Sequence, residues 1–507
     1  MKKNILYKSV LLLFVILIII PIIYTFIKSL SPQNIKELNS DIFILLGKSI
    51  FTASSVAFFS TVFGAIISFF INKTKAGFRS FFKIALLIPL FISPYISAVA
   101  WKDFFYFFFG NTSLIGSYFG VIFILTFIFT PLSMLIIGSA LFNINSQIEE
   151  SGLLISNLRK VILKIILPLI KPALITSFVL VFIFAVSEFS VPAFLGVKVF
   201  TTEIFTQFSA FYNHSLAILQ SLFLVAICIL LLLSEKKYLA DAPFFSVGTK
   251  GTNNKIYNIK NLNVFAFVFL SFWLAVSVIL PFIILFIQSF KNGTTDFLRA
   301  FELLKPTFLN SFSSAFIGAI IILSVGFVSA YHSVNTKNKN TFDWLLLIVF
   351  AIPSIVLGIS FIKFYNQSFL NFIYSSSALI IIAYVGKFAF IASKIIGNSL
   401  KQIPKSTEEA AKISGISSMS RIFKILLPQI STALFAAFII GFILSFGELG
   451  TSIMLYPPGT ELMPIKVFTI SANATQALTS SMTLIVFSLT ILLISIFYFL
   501  FLKIKKT

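Results

Sequence analysis

The sequence predicts an all-α polytopic membrane protein of about twelve transmembrane helices, arranged as two parallel six-helix repeats. Three observations predict it. The 507 residues are 58% hydrophobic and 11% charged, with a mean hydropathy of +1.04, whereas soluble globular domains carry roughly a quarter charged residues. Twelve apolar runs approach the ~20 residues needed to cross about 30 Å of hydrocarbon. The second half also repeats landmarks of the first at a nearly constant offset.

The first-half spans fall near 5–27, 47–71, 84–108, 118–140, 168–188 and 216–233. The first follows Met1-Lys2-Lys3 and is not followed by a small-x-small cleavage pattern, so it is a span and not a secretory signal. The polar stretch 234–263, with Gly248, Gly251, Asn253 and Asn254, is a linker. It divides a first half, 1–233, from a second, 264–507, whose spans fall near 264–287, 307–331, 344–365, 375–400, 428–446 and 476–502. Pro21 matches Pro281, Gly64 matches Gly326, Pro94 matches Pro353, Gly138 matches Gly397, and Ser187-Glu188-Phe189 matches Gly447-Glu448-Leu449, at offsets of 259 to 262. Six spans per half make the repeats parallel about an axis along the membrane normal, with a pathway expected at their interface.

Charge fixes the expected orientation. The 38 Lys and Arg against 16 Asp and Glu give +22, but these cations are spread through short loops and do not form one nucleic-acid patch. Lys73, Lys75, Arg79, Lys83, Arg159, Lys160, Lys164 and the Lys503, Lys505, Lys506 tail fall on one side, which the positive-inside rule makes cytoplasmic, with both termini. Cys228 has no partner cysteine, and His214 and His332 lack metal-ligand spacing. No phosphate-binding Gly-x-x-x-x-Gly-Lys-Ser/Thr loop occurs, and no nucleophile and base stand together. Neither catalysis nor a cofactor or metal is expected.

The most informative polar island is Glu408-Glu409-Ala410-Ala411-Lys412-Ile413-Ser414-Gly415, followed by Arg421 to Pro428. In a helix, Ala411 and Gly415 share one face, as do Ala410 and Ser414, where another surface can approach closely. A worn copy reads Glu149-Glu150-Ser151-Gly152-Leu153, then Lys164 to Pro168. The prolines are offset by 428 − 168 = 260 and the glutamates by 408 − 149 = 259, so the first copy is one residue shorter and its glycine position falls near Ser156. A Glu-rich helix is common as a solvated amphipathic helix; two copies at matched places in a repeat are not. The element resembles the EAA loop of ABC importer permeases, and the chain resembles the fused type I form of that family. The resemblance implies an inner-membrane transport subunit whose loops dock a separate cytoplasmic ATP-binding subunit, in two copies. It also implies a periplasmic or lipid-anchored solute-binding protein as partner, and alternating access as mechanism.

Glu188 and Glu448 close the spans after these loops, near the outer face. They either guide a cation into the pathway or simply place acids in interfacial water. Lys387 and Lys394 lie in one span on one helical face, an unusual place for charge. Their first-half counterparts are Ile128 and Leu135, and Lys394 can snorkel outward, so neither receives a substrate role. The segment Gly450 to Thr460, containing Tyr456-Pro457-Pro458-Gly459, is similar to a loop of permeases serving ferric iron and thiamine. Glu188 to Gly196 with Phe200-Thr201-Thr202-Glu203-Ile204-Phe205 resembles ferric iron permeases. Ferric iron is the implied cargo, with thiamine or another small solute as the alternative. The opposing class is an ion-gradient-driven carrier, which explains the duplication but not the paired polar loops.

Overall fold

The computed structural model describes residues 2–29, 40–234, 255–335, 341–404, 406–407, 411 and 413–506. The first half comprises α1 (Lys2–Ser29), α2 (Ser40–Lys73), α3 (Arg79–Phe91), α4 (Pro94–Phe109), α5 (Tyr118–Phe142), α6 (Ser146–Ile155), α7 (Leu158–Ser187), α8 (Ser190–Leu195), α9 (Phe200–Ser209) and α10 (His214–Ser234). The second comprises α11 (Lys260–Ser289), α12 (Thr295–Asn335), α13 (Thr341–Ala351), α14 (Ser354–Tyr365), α15 (Ala378–Lys401), α16 (Met419–Gln429), α17 (Ser431–Phe446), α18 (Ser452–Leu455), α19 (Met463–Ser471) and α20 (Gln476–Lys506). Nine described helices are long and apolar enough to cross a membrane, and three bent pairs raise the number to twelve.

Those bent pairs correct the expectation of simple spans. The run near 84–108 is α3 and α4 meeting at 94°, the run near 344–365 is α13 and α14 at 103°, and α16 and α17 meet at 77°. The first two breaks have a local cause. Pro94 and Pro353 cannot continue a hydrogen-bonded helix, and the residue before a proline is driven to extended backbone. Ser93 (φ −59, ψ 134) and Ile92 (φ −101, ψ 139) are extended accordingly. Helix α12 is far longer than the expected 307–331, and its first turns carry Asp296, Arg299, Glu302 and Lys305.

Four π turns mark the repeat more sharply than the composition does. Val15–Ile19, Ile162–Ile166, Ala275–Ile279 and Ile422–Leu426 each end two residues before Pro21, Pro168, Pro281 or Pro428. A proline inside a helix lacks an N–H and presses on the carbonyl four residues back. Widening the preceding turn relieves that clash: the N–H of Leu167 reaches the Ile162 carbonyl and that of Leu427 reaches the Ile422 carbonyl, five residues back.

Within each half, the second, fourth and fifth spans form the tightest packing, α2 with α5 and α7, and α12 with α15 and α17. Gly64 and Gly326 explain how close it is. A Cβ on Gly64 would stand 2.4 Å from the Ser133 Cβ, and one on Gly326 would stand 2.7 Å from the Ala392 Cβ. The first span of each half crosses to the other. Helix α1 packs on α14, with Tyr365 donating to the Leu17 carbonyl at 2.8 Å and Tyr7 stacked on His332 at 3.6 Å. Helix α11 packs on first-half helices, its Trp273 lying 4.5 Å from Phe63 and 4.9 Å from Phe127.

Candidate functional site

Two places gather the polar residues that the apolar helices otherwise exclude: the loop helices between the fourth and fifth spans, and a cavity between the halves. Helix α6 opens at Asn145, whose side chain accepts from the Gln147 N–H. Glu149 then faces inward. Its carboxylate is fully buried and accepts from the Lys73 ammonium and the Tyr257 hydroxyl. Tyr257 is itself fixed, donating its N–H to the Lys73 carbonyl at 2.7 Å and stacking on Phe69. Burial and the Glu149 carboxylate hold its hydroxyl proton far above the usual tyrosine range, so it remains a donor. Glu150 pairs with Lys255 at 2.9 Å, and Asn263 accepts from the Lys75 N–H at 3.0 Å. The end of the inter-half stretch is therefore strapped onto α2 and α6.

Glu149 is thus committed inside the chain, while α6 exposes Gln147, Glu150 and Ser151 beside the bare apolar side chains of Leu154 and Ile155, each 90% exposed. Gly152 sits against the start of α7, where a Cβ would stand 2.5 Å from Ile165 Cδ1. In the second loop, Glu408, Glu409 and Ala410 lie outside the described residues. Ala411 is buried while Gly415 is exposed, so the two do not share a docking face as expected. Gly415 instead ends the helix at φ +72, with the Ile416 N–H on the Ala411 carbonyl at 3.2 Å, a glycine-terminated helix cap. Ser156 in the first loop is extended at φ −151, so the two loops end differently. Ile413 is 88% exposed at the repeat position of Leu154 (413 − 154 = 259). The matched offset was the signal for this pair, which residue-type reasoning passed over in favour of the acids. Pro168 and Pro428 join both loops to their spans through the π turns.

The cavity between the halves has a volume of about 110 Å³ and is lined by Glu188, Glu448, Lys387 and the serines Ser93, Ser187, Ser190 and Ser354 among apolar side chains. Both glutamates cap short helices. Glu188 Oε1 accepts from the Ser190 hydroxyl and N–H, the latter at 2.8 Å. Glu448 accepts from the N–H groups of Thr451 and Ser452 at 2.7 and 3.0 Å, and from the Ser452 hydroxyl at 3.0 Å. They are not acids left in interfacial water: repeat symmetry brings both to one chamber. Lys387 reaches the same chamber and donates to the Ile352 and Phe350 carbonyls at 2.7 and 3.3 Å, capping the broken end of α13. Lys394 does not depend on snorkelling, since it pairs with Asp343 at 2.7 Å. No three His, Cys, Asp or Glu side chains come together as metal ligands among the described residues.

The profile of the family described as "binding-protein-dependent transport system inner membrane component" matches residues 60–236 and 322–506, once in each half. The chain belongs to this family. It is a multi-pass permease of the inner membrane, of the fused two-half ABC importer type. The permease is 25% identical over 421 residues to the Fe(3+)-transport system permease protein FbpB 2 of Haemophilus influenzae, covering 82% of this chain and 81% of that one. It is 25% identical over 496 residues to the ferric transport system permease protein FbpB of Actinobacillus pleuropneumoniae, covering 90% and 72%.

Within the permease a second, apolar cavity lies beyond the first and carries Lys394 at its wall. Leu90, Phe91, Phe184 and Leu444 line both. These four form a septum, and it obeys the repeat: Phe184 and Leu444 are 260 residues apart, and Phe91 is the mate of Phe350, which meets the Phe184 ring at 5.2 Å.

Proposed function

We propose that the permease moves ferric ion into the cytoplasm by alternating access, driven by ATP hydrolysis in partner subunits. The observation that carries this reading is the chamber between the halves, where the repeat-matched Glu188 and Glu448 supply hard oxygen beside Lys387 and four serines in a wall otherwise apolar. The relatives named for ferric transport cover most of their length and most of this chain. Two ATP-binding subunits dock on the cytoplasmic loops: Leu154 with Glu150 and Gly152 on the first, and Ile413 with Glu408, Glu409, Ala410 and Gly415 on the second, the buried Ala411 supporting them from within the chain. Glu149 acts from behind, holding α6 in place. Pro168 and Pro428 pass the push into α7 and α17. A solute-binding protein, periplasmic or lipid-anchored, loads the opposite face. The halves 1–233 and 264–507 rock about the chamber, the septum of Leu90, Phe91, Phe184 and Leu444 parts, and 234–263 spans between them. Both termini are cytoplasmic.

Reconstitution tests it. Vesicles containing the permease with its ATP-binding subunits, supplied with ferric-loaded binding protein and internal ATP, accumulate radiolabelled ferric ion. Accumulation by the permease alone on an ion gradient, or none with the complete set, overturns the assignment.

A further inference from the structure

The two halves treat their broken third spans differently, and the difference leaves one position vacant. In the second half, α13 stops at Ala351 in mid-span, and its end carbonyls at Phe350 and Ile352 receive the Lys387 ammonium. A helix C-terminus carries unpaired carbonyls and partial negative charge, so a cation there is stabilised. In the first half α3 stops at Phe91 in the same way, and Pro94 has no N–H to give the Leu90 carbonyl four residues back. Phe91 and Ser93, which stand 259 residues before Phe350 and Ile352, line the chamber as Lys387 does, and the Ser93 carbonyl accepts only the Ile96 N–H, at 3.0 Å, among the described residues. At the repeat position of Lys387 (387 − 259 = 128) stands Ile128, which lines the chamber too. The first half has the break without the cation.

Glu188, also in the chamber wall, adds a second observation. Its Oε1 takes every hydrogen bond the carboxylate accepts among the described residues, from Ser190 and Val191, leaving Oε2 without a donor. A carboxylate oxygen and helix-end carbonyls are the hard donors that suit a small, highly charged cation, and half-helix ends receive cations in other transport proteins.

We infer that the first-half break at Phe91–Ser93, together with Glu188 Oε2, is the seat the cargo cation takes on its way through, and that Lys387 permanently fills the equivalent seat in the second half. This rests on the cargo being a metal cation and fixes which half receives it. The pathway thus has one seat for one ion, although the protein is a repeat.

The test exchanges the two side chains in the reconstituted system. Ile128→Lys fills the seat from within, and ferric uptake falls about tenfold or more, as like charges at close quarters repel by several kcal/mol. Ile128→Met, of similar bulk and no charge, loses far less uptake than Ile128→Lys, and both variants keep ATP hydrolysis stimulated by loaded binding protein, showing that the complex is assembled. Leu444→Lys places a charge elsewhere in the chamber wall and lowers uptake less than Ile128→Lys. Equal uptake by Ile128→Lys and wild type, equal losses in Ile128→Lys and Ile128→Met, or equal losses in Ile128→Lys and Leu444→Lys overturn the inference. A wild-type complex that transports no ferric ion overturns the cargo assignment with it, whereas active wild type beside an unaffected Ile128→Lys overturns the seat alone.

Discussion

Lys73 and Glu149 are each fully buried, and each is the other's counter-charge. Removing one leaves a charge stranded in the interior, a loss of about 3–5 kcal/mol, whereas replacing both with apolar groups of similar volume is often neutral. Lys73→Met therefore lowers the thermal midpoint of the detergent-solubilised protein more than the Lys73→Met, Glu149→Met pair does; a pair at least as damaged as the single variant contradicts this. The exposed Leu154 and Ile413 behave oppositely, since neither is covered by the described residues. Leu154→Asp with Ile413→Asp leaves thermal stability within about 0.5 kcal/mol of wild type, as for surface changes, while the ATP-binding subunit no longer co-purifies. Retained co-purification would move the docking surface elsewhere. At this scale the sequence was a partial guide. It placed acids at matched positions, but which way a carboxylate turns depends on what surrounds it. Lys73 stands 76 residues before Glu149 and Tyr257 stands 108 after it, so no local pattern could show that Glu149 is enclosed. The same holds for Lys394, whose partner Asp343 comes from another helix.

Prolines were the most legible feature of the elements, because their effect is covalent and local. Pro21, Pro168, Pro281 and Pro428 were matched by offset alone, and each sits just beyond a π turn. The π turns themselves, and the bends of 94° and 103°, were not foreseen; an apolar run looks the same in sequence whether its helix is continuous or broken within the membrane. A π turn holds an extra residue, so converting it to regular α-helix rotates the segment before it by about 100° relative to the span after it. Pro168→Ala and Pro428→Ala together remove the reason for the wide turns. The expected result is coupling loss: nucleotide hydrolysis continues while cargo moved per ATP falls severalfold. Undiminished stoichiometry would show that the wide turns transmit nothing. Gly64 and Gly326 make a simpler case. Gly64→Val must push apart α2 and α5, costing about 1–3 kcal/mol as overpacking does, which a lowered thermal midpoint reports.

For the whole molecule, the repeat was readable in outline, but the exchange of first spans was not, since apolar sequence does not say which neighbour a helix chooses. Helix α1 lies on α14 and α11 lies against the first half, so neither half is complete on its own. Coexpressed fragments 1–254 and 255–507 are expected to co-purify, with Tyr257 and Lys255 of the second still seated on Glu149 and Glu150 of the first. A second half expressed alone, without α1, is degraded. Stable accumulation of that lone fragment would show the exchange to be dispensable. The crossing also sets a timetable for biogenesis. Helix α1 leaves the ribosome well before its partner, since α14 ends at Tyr365, 365 − 29 = 336 residues later. At ~5–20 residues per second, that interval is roughly 20–70 s. During it α1 waits in the bilayer without its partner, so a pause in translation within the second half prolongs its exposure to membrane proteases.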